Sequence, residues 1–256
     1  TLPQTVTAIG EHAFQECTAL EELVIPGQLT EIGTSVFYGC ENLAIDFSIL
    51  DSVTSLGTHV FYRCRNATGI ADLSLLENET VGEMTFAYCS GLQKVILPDT
   101  VTSIGANAFN SCTVLEEINL PANLKTIGSN AFTQCEGLTT VSLPEGLETL
   151  GSNAFGGSAL TSVTLPDTVT ALGGNTFLNC TDVTSVILSS NLAQIGRSDF
   201  YGCTSLSQLT IPEGVAEIGM EMFADCTSLT DVVIPDSVKT IDQRAFYGCN
   251  KLSSVD

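Results

Sequence analysis

A phenylalanine recurs through the whole chain at a nearly constant spacing. The eleven positions are Phe14, Phe37, Phe61, Phe86, Phe109, Phe132, Phe155, Phe177, Phe200, Phe223 and Phe246, and the intervals are 23, 24, 25, 23, 23, 23, 22, 23, 23 and 23 residues. A unit of this length cannot bury its own apolar face, so successive units must stack to create a core. The spacing therefore predicts a solenoid of about eleven coils of ~23 residues each, numbered here one to eleven by their phenylalanines.

Around each phenylalanine the unit can be written LxxVxLPxxLxxIGxxAFxxC, as in residues 92–112 and 115–135. The LxxVxL part alternates apolar and polar residues and ends at a proline, which indicates a short strand. The Ile-Gly pair supplies an inward side chain and a residue that can turn. The AFxxC part, with Ala and Cys four residues apart, predicts a short helical turn.

This unit, with its LP, IGxxAF and trailing Cys, resembles the BspA-type leucine-rich repeat of surface proteins from host-associated bacteria and some protozoa. The resemblance implies a right-handed, curved leucine-rich-repeat solenoid, α/β or β-rich, with parallel strands on the concave face and helical turns on the convex face. It also implies secretion or display at the cell surface and binding to a protein ligand, such as a host extracellular or neighbouring cell-surface protein.

Residues 1–256 are predicted to form a single array. The sequence opens at Leu2-Pro3, inside a unit, and stops after Leu252, inside a strand, so we expect the array to belong to a larger protein. Departures from the unit predict bulges or changes of curvature: coils three and four are longer, Ser189 replaces the proline, Asp242 replaces the turn glycine, and coil seven is one residue short around 156–158.

Ten cysteines occupy one repeated slot, three residues after the phenylalanine: Cys17, Cys40, Cys64, Cys89, Cys112, Cys135, Cys180, Cys203, Cys226 and Cys249. An even number of cysteines in a secreted chain can indicate disulfides. A single inward slot instead favours reduced, buried thiols that pack as small apolar groups. Neighbouring slots are close enough that sporadic disulfides stay an alternative. There is no CxxC pair, which argues against zinc.

Composition and motif search both argue against catalysis and nucleic-acid binding. Eight Lys and Arg against 29 Asp and Glu give a net charge of −21, which repels phosphate backbones. His12 and His59 lie two coils apart, without a placed nucleophile and orienting acid. The glycines are spread one coil at a time, unlike a phosphate-binding loop. We therefore expect no enzyme activity, no cofactor and no metal, and no apolar run is long enough for membrane insertion.

The residues between the inward positions of each strand are expected to face solvent on the concave side and to contact the partner. They form the concave strip: Glu21, Glu22, Gln93, Lys94, Glu116, Glu117, Asn119, Thr139, Thr140, Thr161, Thr164, Thr184, Gln208, Thr210 and Asp231. Acidic residues in its first half would attract a basic patch. The alternative is that exposed strand faces are simply polar. The strip also lacks Tyr and Trp, which favour interfaces.

Two further patterns leave alternatives open. An acidic row follows the prolines, at Asp99, Glu145, Asp167, Glu213 and Asp236, and stacked carboxylates can bind calcium, although solvated turn acids are the simpler interpretation. For the whole chain, the leading functional hypothesis is a non-enzymatic, adhesin-like protein-binding module. The competing hypothesis is a structural spacer that projects another domain from the cell surface.

Overall fold

The computed structural model describes residues 1–255 and shows a solenoid of about eleven coils built from short parallel strands. Most coils contribute a short strand to the concave face, a short strand to a flank, or both. The predicted leucine-rich-repeat fold is confirmed. The concave strands are Thr68–Asp72, Gly91–Ile96, Glu117–Ile118, Ser162–Thr164, Ser185–Ile187, Gln208–Thr210, Asp231–Val233 and Ser254–Val255.

The flank strands end on the isoleucine, leucine or valine that precedes the turn. They are Ala8–Ile9, Glu31–Ile32, Ser55–Leu56, Thr80–Val81, Ser103–Ile104, Thr126–Ile127, Thr149–Leu150, Glu217–Ile218 and Thr240–Ile241. All pairings are parallel, and equivalent residues of successive coils lie opposite one another, as Thr126 lies opposite Thr149. The repeat period is therefore also the register of the sheets.

The eleven repeated phenylalanines form one continuous column inside the solenoid. Ten successive ring pairs, from Phe14 to Phe246, are stacked with centroids 5.2–5.8 Å apart. Nine of the rings, Phe37 to Phe223, are fully buried, and the two end rings are partly buried. Strands in a sheet lie about 4.8 Å apart, so the wider ring spacing places the phenylalanine column toward the convex side.

The segment around each phenylalanine is not the predicted helical turn. In every coil the residues two before and two after the phenylalanine have positive φ, as Asn107 (55°) and Ser111 (58°) flank Phe109. A helix cannot continue through left-handed residues. The amides of Asn107, Phe109 and Ser111 donate instead to carbonyls of the next coil, at 2.8–2.9 Å. Alternate amides, those of Ala108, Asn110 and Cys112, donate within the coil at 3.1–3.3 Å, so the backbone around the phenylalanines is satisfied both between coils and within one.

The glycine of the Ile-Gly pair is required by close stacking rather than by a turn conformation. Gly128 and Gly151 do not have positive φ. A Cβ atom on Gly128 would lie 2.7 Å from the amide nitrogen of Ala106, and one on Gly151 would lie 2.4 Å from that of Ser129. Any side chain there would push neighbouring coils apart.

Two predicted irregularities appear in the longer coils. In coil three the residues Phe47–Leu50 form a 3-10 helix whose N-cap is Asp46, and the Phe47 ring packs edge-on against Phe61 and Phe86 at 5.3 and 5.6 Å. In coil four the strand register shifts between Gly69 and Ile70. The extra residues are thus absorbed locally, and the phenylalanine column passes through both coils unchanged.

Candidate partner-binding face

The concave strip is exposed, as the sequence predicts. Thirteen of its fifteen members are exposed, and Lys94 and Asp231 are half-buried. Their neighbours on the same strands, such as Leu92, Val95 and Ile118, point inward and are buried. The alternation of a strand therefore separates a surface row from a core row along most of the array.

Several hydroxyl groups of the strip are already used by the solenoid. The Thr161 hydroxyl donates to the Thr139 carbonyl at 3.2 Å, and the Thr184 hydroxyl donates to the Thr161 carbonyl at 3.1 Å. Thr230, in the same slot of coil eleven, repeats the contact with Ser207 at 3.1 Å. This hydroxyl row stabilises the stacking, and its donors are engaged within the chain.

Asn119 also has a structural contact that the sequence does not reveal. Its side-chain amide accepts from the Leu97 backbone N–H at 2.8 Å and donates to the Leu97 carbonyl at 2.9 Å. Asn78 makes the same pair of bonds to Leu56, at 3.1 and 3.3 Å. An amide side chain thus replaces a peptide group where the strand ladder ends.

The charged members of the strip are only partly compensated. Lys94 forms an ion pair with Glu117, with Nζ and Oε1 2.8 Å apart. The carboxylates of Glu21, Glu22 and Glu116 have no ion pair within residues 1–255. The first half of the strip therefore presents uncompensated negative charge to solvent.

The second half of the strip contains two adjoining depressions. One, of about 590 Å³, extends over coils seven to nine, and the other, of about 640 Å³, extends over coils nine to eleven. They share Ile187, Leu188 and Ser190, and Ile187 is 58% exposed. Apolar side chains in this slot of other coils are similarly exposed, with Val24 at 56% and Val233 at 44%.

The cysteine column is reduced, as predicted. All ten cysteines are free; eight are buried, and Cys17 and Cys249 are partly buried. Nine of the thiols donate a hydrogen bond to the backbone carbonyl of the phenylalanine in the preceding coil, at 3.0–3.3 Å. The Cys112 thiol, for example, donates to the Phe86 carbonyl. Burial raises the pKa of Cys135 to about 12, which disfavours the reactive thiolate. This column is core rather than a redox site.

The convex ridge contains the aromatic residues that the strip lacks. Tyr38 stacks on Tyr62 at 4.6 Å, Tyr62 meets Tyr88 edge-on at 5.7 Å, and the Arg63 guanidinium lies 5.3 Å from the Tyr62 ring centroid. Near the other end, Tyr201 donates to Asp225 at 2.8 Å. Most of these rings are half-buried against one another, and Tyr247 alone is largely exposed.

The remaining candidate ligands do not converge. Among residues 1–255, no group of three or more His, Cys, Asp or Glu side chains is placed to hold a metal ion. In the acidic row, Asp167 accepts hydrogen bonds from the Ser190 amide and hydroxyl at 2.8 and 2.9 Å, which lower the pKa of Asp167. His12 is exposed and contacts Gln15, and His59 lies near Tyr38 on the convex ridge. The Asp167 carboxylate thus links its own turn to Ser190 in the next coil.

Repeated parallel strands, buried leucine columns and a coil of about 23 residues define a leucine-rich-repeat solenoid. The family model that matches is the BspA-type leucine-rich-repeat region, in six copies that cover residues 1–78, 68–184 and 171–256. The chain belongs to the BspA-type leucine-rich-repeat family.

Solved bacterial structures are similar over most of the chain. A leucine-rich cell-surface protein of Faecalibacterium prausnitzii is 31% identical, with a TM-score of 0.66, over 99% of this chain and 77% of that one. A leucine-rich-repeat protein of Bacteroides ovatus is 27% identical, with a TM-score of 0.69, over the same shares. One from Treponema pallidum is 28% identical, with a TM-score of 0.60, over 62% of this chain and 78% of that chain.

No curated protein matches the chain. Within residues 1–255, there is no helix with the length and apolar content needed to cross a bilayer.

Proposed function

We propose that the chain is a non-enzymatic, adhesin-like protein-binding module of a secreted or cell-surface protein, and that its concave strip contacts a protein ligand. The observation that carries this proposal is the long concave strip, in which thirteen of fifteen side chains are exposed along the stacked coils. A repeat array offers an extended concave surface of the kind that leucine-rich-repeat proteins use for binding. The F. prausnitzii relative, which is described as a cell-surface protein, supports the location.

The free carboxylates of the strip point to a partner with a basic patch. Charge complementarity across an interface mainly raises the association rate and selects among partners. Glu22 and Glu116 are exposed and have no ion pair in the described chain, so they are the carboxylates best placed to contribute. A host extracellular or cell-surface protein with a basic patch is the partner class that this surface fits.

The test compares capture of extracellular proteins by the immobilised wild type and by two variants of equal charge change. Glu22→Lys combined with Glu116→Lys changes the strip. Glu31→Lys combined with Glu217→Lys changes two exposed glutamates on the flank strands. A ligand that binds the strip is retained by the wild type and the flank variant, and its recovery falls about tenfold with the strip variant.

The spacer hypothesis predicts another outcome. A scaffold that only projects a further domain has no residue-specific surface, so the wild type and both variants would retain the same proteins in equal amounts. That result would reject the strip as a binding surface. Equal loss with both variants would show that net charge alone, rather than the strip, attracts the captured proteins.

A further inference from the structure

All five tyrosines and all four arginines of the chain lie within four residues of a repeat phenylalanine, on or beside the convex ridge. None of them belongs to the concave strip. Tyrosine and arginine are enriched among the residues that carry the binding energy of protein interfaces. Coils two to four contain one cluster, called here the convex patch: Tyr38, Tyr62, Tyr88, Arg63 and Arg65. Coils nine to eleven contain the second cluster: Tyr201, Tyr247, Arg197 and Arg244.

The donor groups of the second cluster are largely used within the chain. The Arg197 guanidinium donates to Glu221 at 2.9 Å, and the Tyr201 hydroxyl donates to Asp225 at 2.8 Å. Glu221 also lies 3.6 Å from Arg244, and its side chain is only 17% exposed. These contacts join coils nine, ten and eleven, so the second cluster contributes to the stacking of the coils.

The donor groups of the convex patch are not used in this way. Arg63 and Arg65 lie 3.8 and 3.7 Å from the same carboxylate, that of Glu41, which is beyond hydrogen-bond distance. In the part of the chain that the structure describes, neither guanidinium donates a hydrogen bond, and neither do the hydroxyls of the three tyrosines. The patch therefore has five donor side chains for one carboxylate.

The rings of the convex patch hold one of its cations in place. Tyr38 stacks on Tyr62 with centroids 4.6 Å apart, and Tyr62 meets Tyr88 edge-on at 5.7 Å. The Arg63 guanidinium carbon lies 5.3 Å from the Tyr62 centroid and 5.9 Å from that of Tyr88. The side chains of Arg63 and Arg65 stay 47% and 53% exposed. A planar guanidinium that is already positioned loses less freedom when it binds a ligand.

The chemistry of these groups favours a ligand that only accepts hydrogen bonds. An ionised carboxylate is such a group, and a guanidinium binds it through two parallel hydrogen bonds. The chain as a whole is acidic, and Glu16 and Glu83 lie beside the ridge in coils one and four. At physiological ionic strength, charges more than about 8 Å apart are largely screened. The two arginines that touch the ligand therefore determine which charge it carries.

We propose that the convex patch is a second interaction surface, which binds an acidic segment of a partner protein. A glutamate or aspartate of the segment accepts hydrogen bonds from Arg63 and Arg65, and the tyrosine hydroxyls donate to the same segment. The patch lies on the opposite side of the solenoid from the concave strip and prefers the opposite charge. The two surfaces thus bind different partners.

The probe is a fluorescent, end-capped hexapeptide of alternating threonine and glutamate, and binding is measured by anisotropy at physiological salt. A matched peptide replaces the glutamates with glutamine, which keeps the shape and removes the carboxylates. We expect the glutamine peptide to bind at least about tenfold more weakly. Equal binding of the two peptides would overturn the proposal, as would no binding of the glutamate peptide at concentrations up to about 1 mM.

Two pairs of arginine substitutions, which change the net charge equally, locate the site. Arg63→Gln combined with Arg65→Gln removes the cations of the convex patch and should weaken binding of the glutamate peptide about tenfold. Arg197→Gln combined with Arg244→Gln removes the cations of the second cluster, which also flank one glutamate, and should leave the affinity unchanged. Equal effects of the two pairs would show attraction by net charge alone and would overturn the proposal.

A third variant separates the loss of donors from the loss of folding. Tyr38→Phe, Tyr62→Phe and Tyr88→Phe together keep the rings and remove only their hydroxyls. This variant should melt at the same temperature as the wild type and bind the glutamate peptide about threefold more weakly. Unchanged affinity would overturn the site as proposed.

The convex patch and the concave strip can be tested separately. The variant with Glu22→Lys and Glu116→Lys should bind the glutamate peptide as well as the wild type does, because neither residue belongs to the patch. A loss of binding in this variant would place the peptide on the strip and overturn the proposal. If the peptide fails to bind the patch while protein capture still depends on Glu22 and Glu116, the patch inference falls and the proposed function stands.

Discussion

The phenylalanine column and the concave strand ladder run side by side through the same eleven coils, yet only the column is continuous. Its ten ring pairs keep centroids 5.2–5.8 Å apart from Phe14 to Phe246. The concave strands instead form three separate sheets, over coils four to six, coils eight and nine, and from coil ten onward.

The difference shows which contacts hold successive coils together. A ring that is fully buried has neighbours on every side, and a gap in the column would lose contacts in two adjacent coils at once. The outer row of the concave face loses less when a strand pair opens, because its side chains already face solvent. Breaks between strand pairs are therefore tolerated on the solvent-facing side of the concave strands.

The largest predicted effect is the loss of a central ring. Phe132→Ala should lower the free energy of unfolding by roughly 3–5 kcal/mol, the usual cost of a large buried aromatic side chain. Ile187→Ala, at an exposed position of the concave face, should change it by less than about 0.5 kcal/mol. Chemical denaturation of both variants measures the contrast, and comparable losses would mean that the concave face carries as much of the stability as the column.

The period made the column predictable from the sequence, because one spacing assigns every inward phenylalanine and cysteine at once. The turn conformation was not predicted, although Asn107, Asn130, Asn153 and Asn175 all lie two residues before a phenylalanine, and asparagine favours positive φ. The recurrence of asparagine at this position was the sequence feature that could have predicted the positive φ. The glycine after the flank isoleucine was predicted, but for turning rather than for the close approach seen at Gly128.

The candidate site was predictable only in outline. Strand alternation correctly placed Glu116, Thr161 and Gln208 on the surface. The use of the Thr161 hydroxyl and the Asn119 amide within the chain depends on contacts between coils that lie 22 residues apart in sequence. The division of the concave strands into three sheets is not marked in the sequence, because the repeat unit continues across both breaks.

A smaller effect is expected in the thiol column. Coil seven carries Ser158 in the cysteine slot, where its hydroxyl lies 3.4 Å from the Cys180 sulfur. Cys112→Ser should lower the free energy of unfolding by roughly 1–3 kcal/mol, since a buried hydroxyl loses more solvation than a thiol.

The reverse change, Ser158→Cys, provides the control and should not destabilise the protein. Both variants are compared with the wild type by chemical denaturation under reducing conditions. A Cys112→Ser variant as stable as the wild type would show that the column needs only the volume of the side chain and not its low polarity.

The smallest predicted effect concerns Asp199, the one fully buried carboxyl group among residues 1–255, which occupies the slot that Ala108 fills in coil five. Its oxygens accept from the Thr176 and Gly196 amides at 2.9 and 2.6 Å. Burial nevertheless raises the pKa of Asp199 above its ordinary value of 3.8. The folded state then holds this proton at pH values where the unfolded chain has released it.

The stabilisation by Asp199 should therefore be greatest in acid and fall as the pH rises through the interval above 3.8. The measurement is the difference in unfolding free energy between the wild type and Asp199→Ala, followed from pH 4 to pH 7. In Asp199→Ala the Thr176 and Gly196 amides lose their hydrogen-bond acceptor, and this lowers the unfolding free energy by the same amount at every pH. The loss therefore shifts the difference without changing its slope against pH. A difference that stays level or grows with pH would mean that the two amides hold the carboxylate as well as water does, and that the column accepts a buried charge without cost.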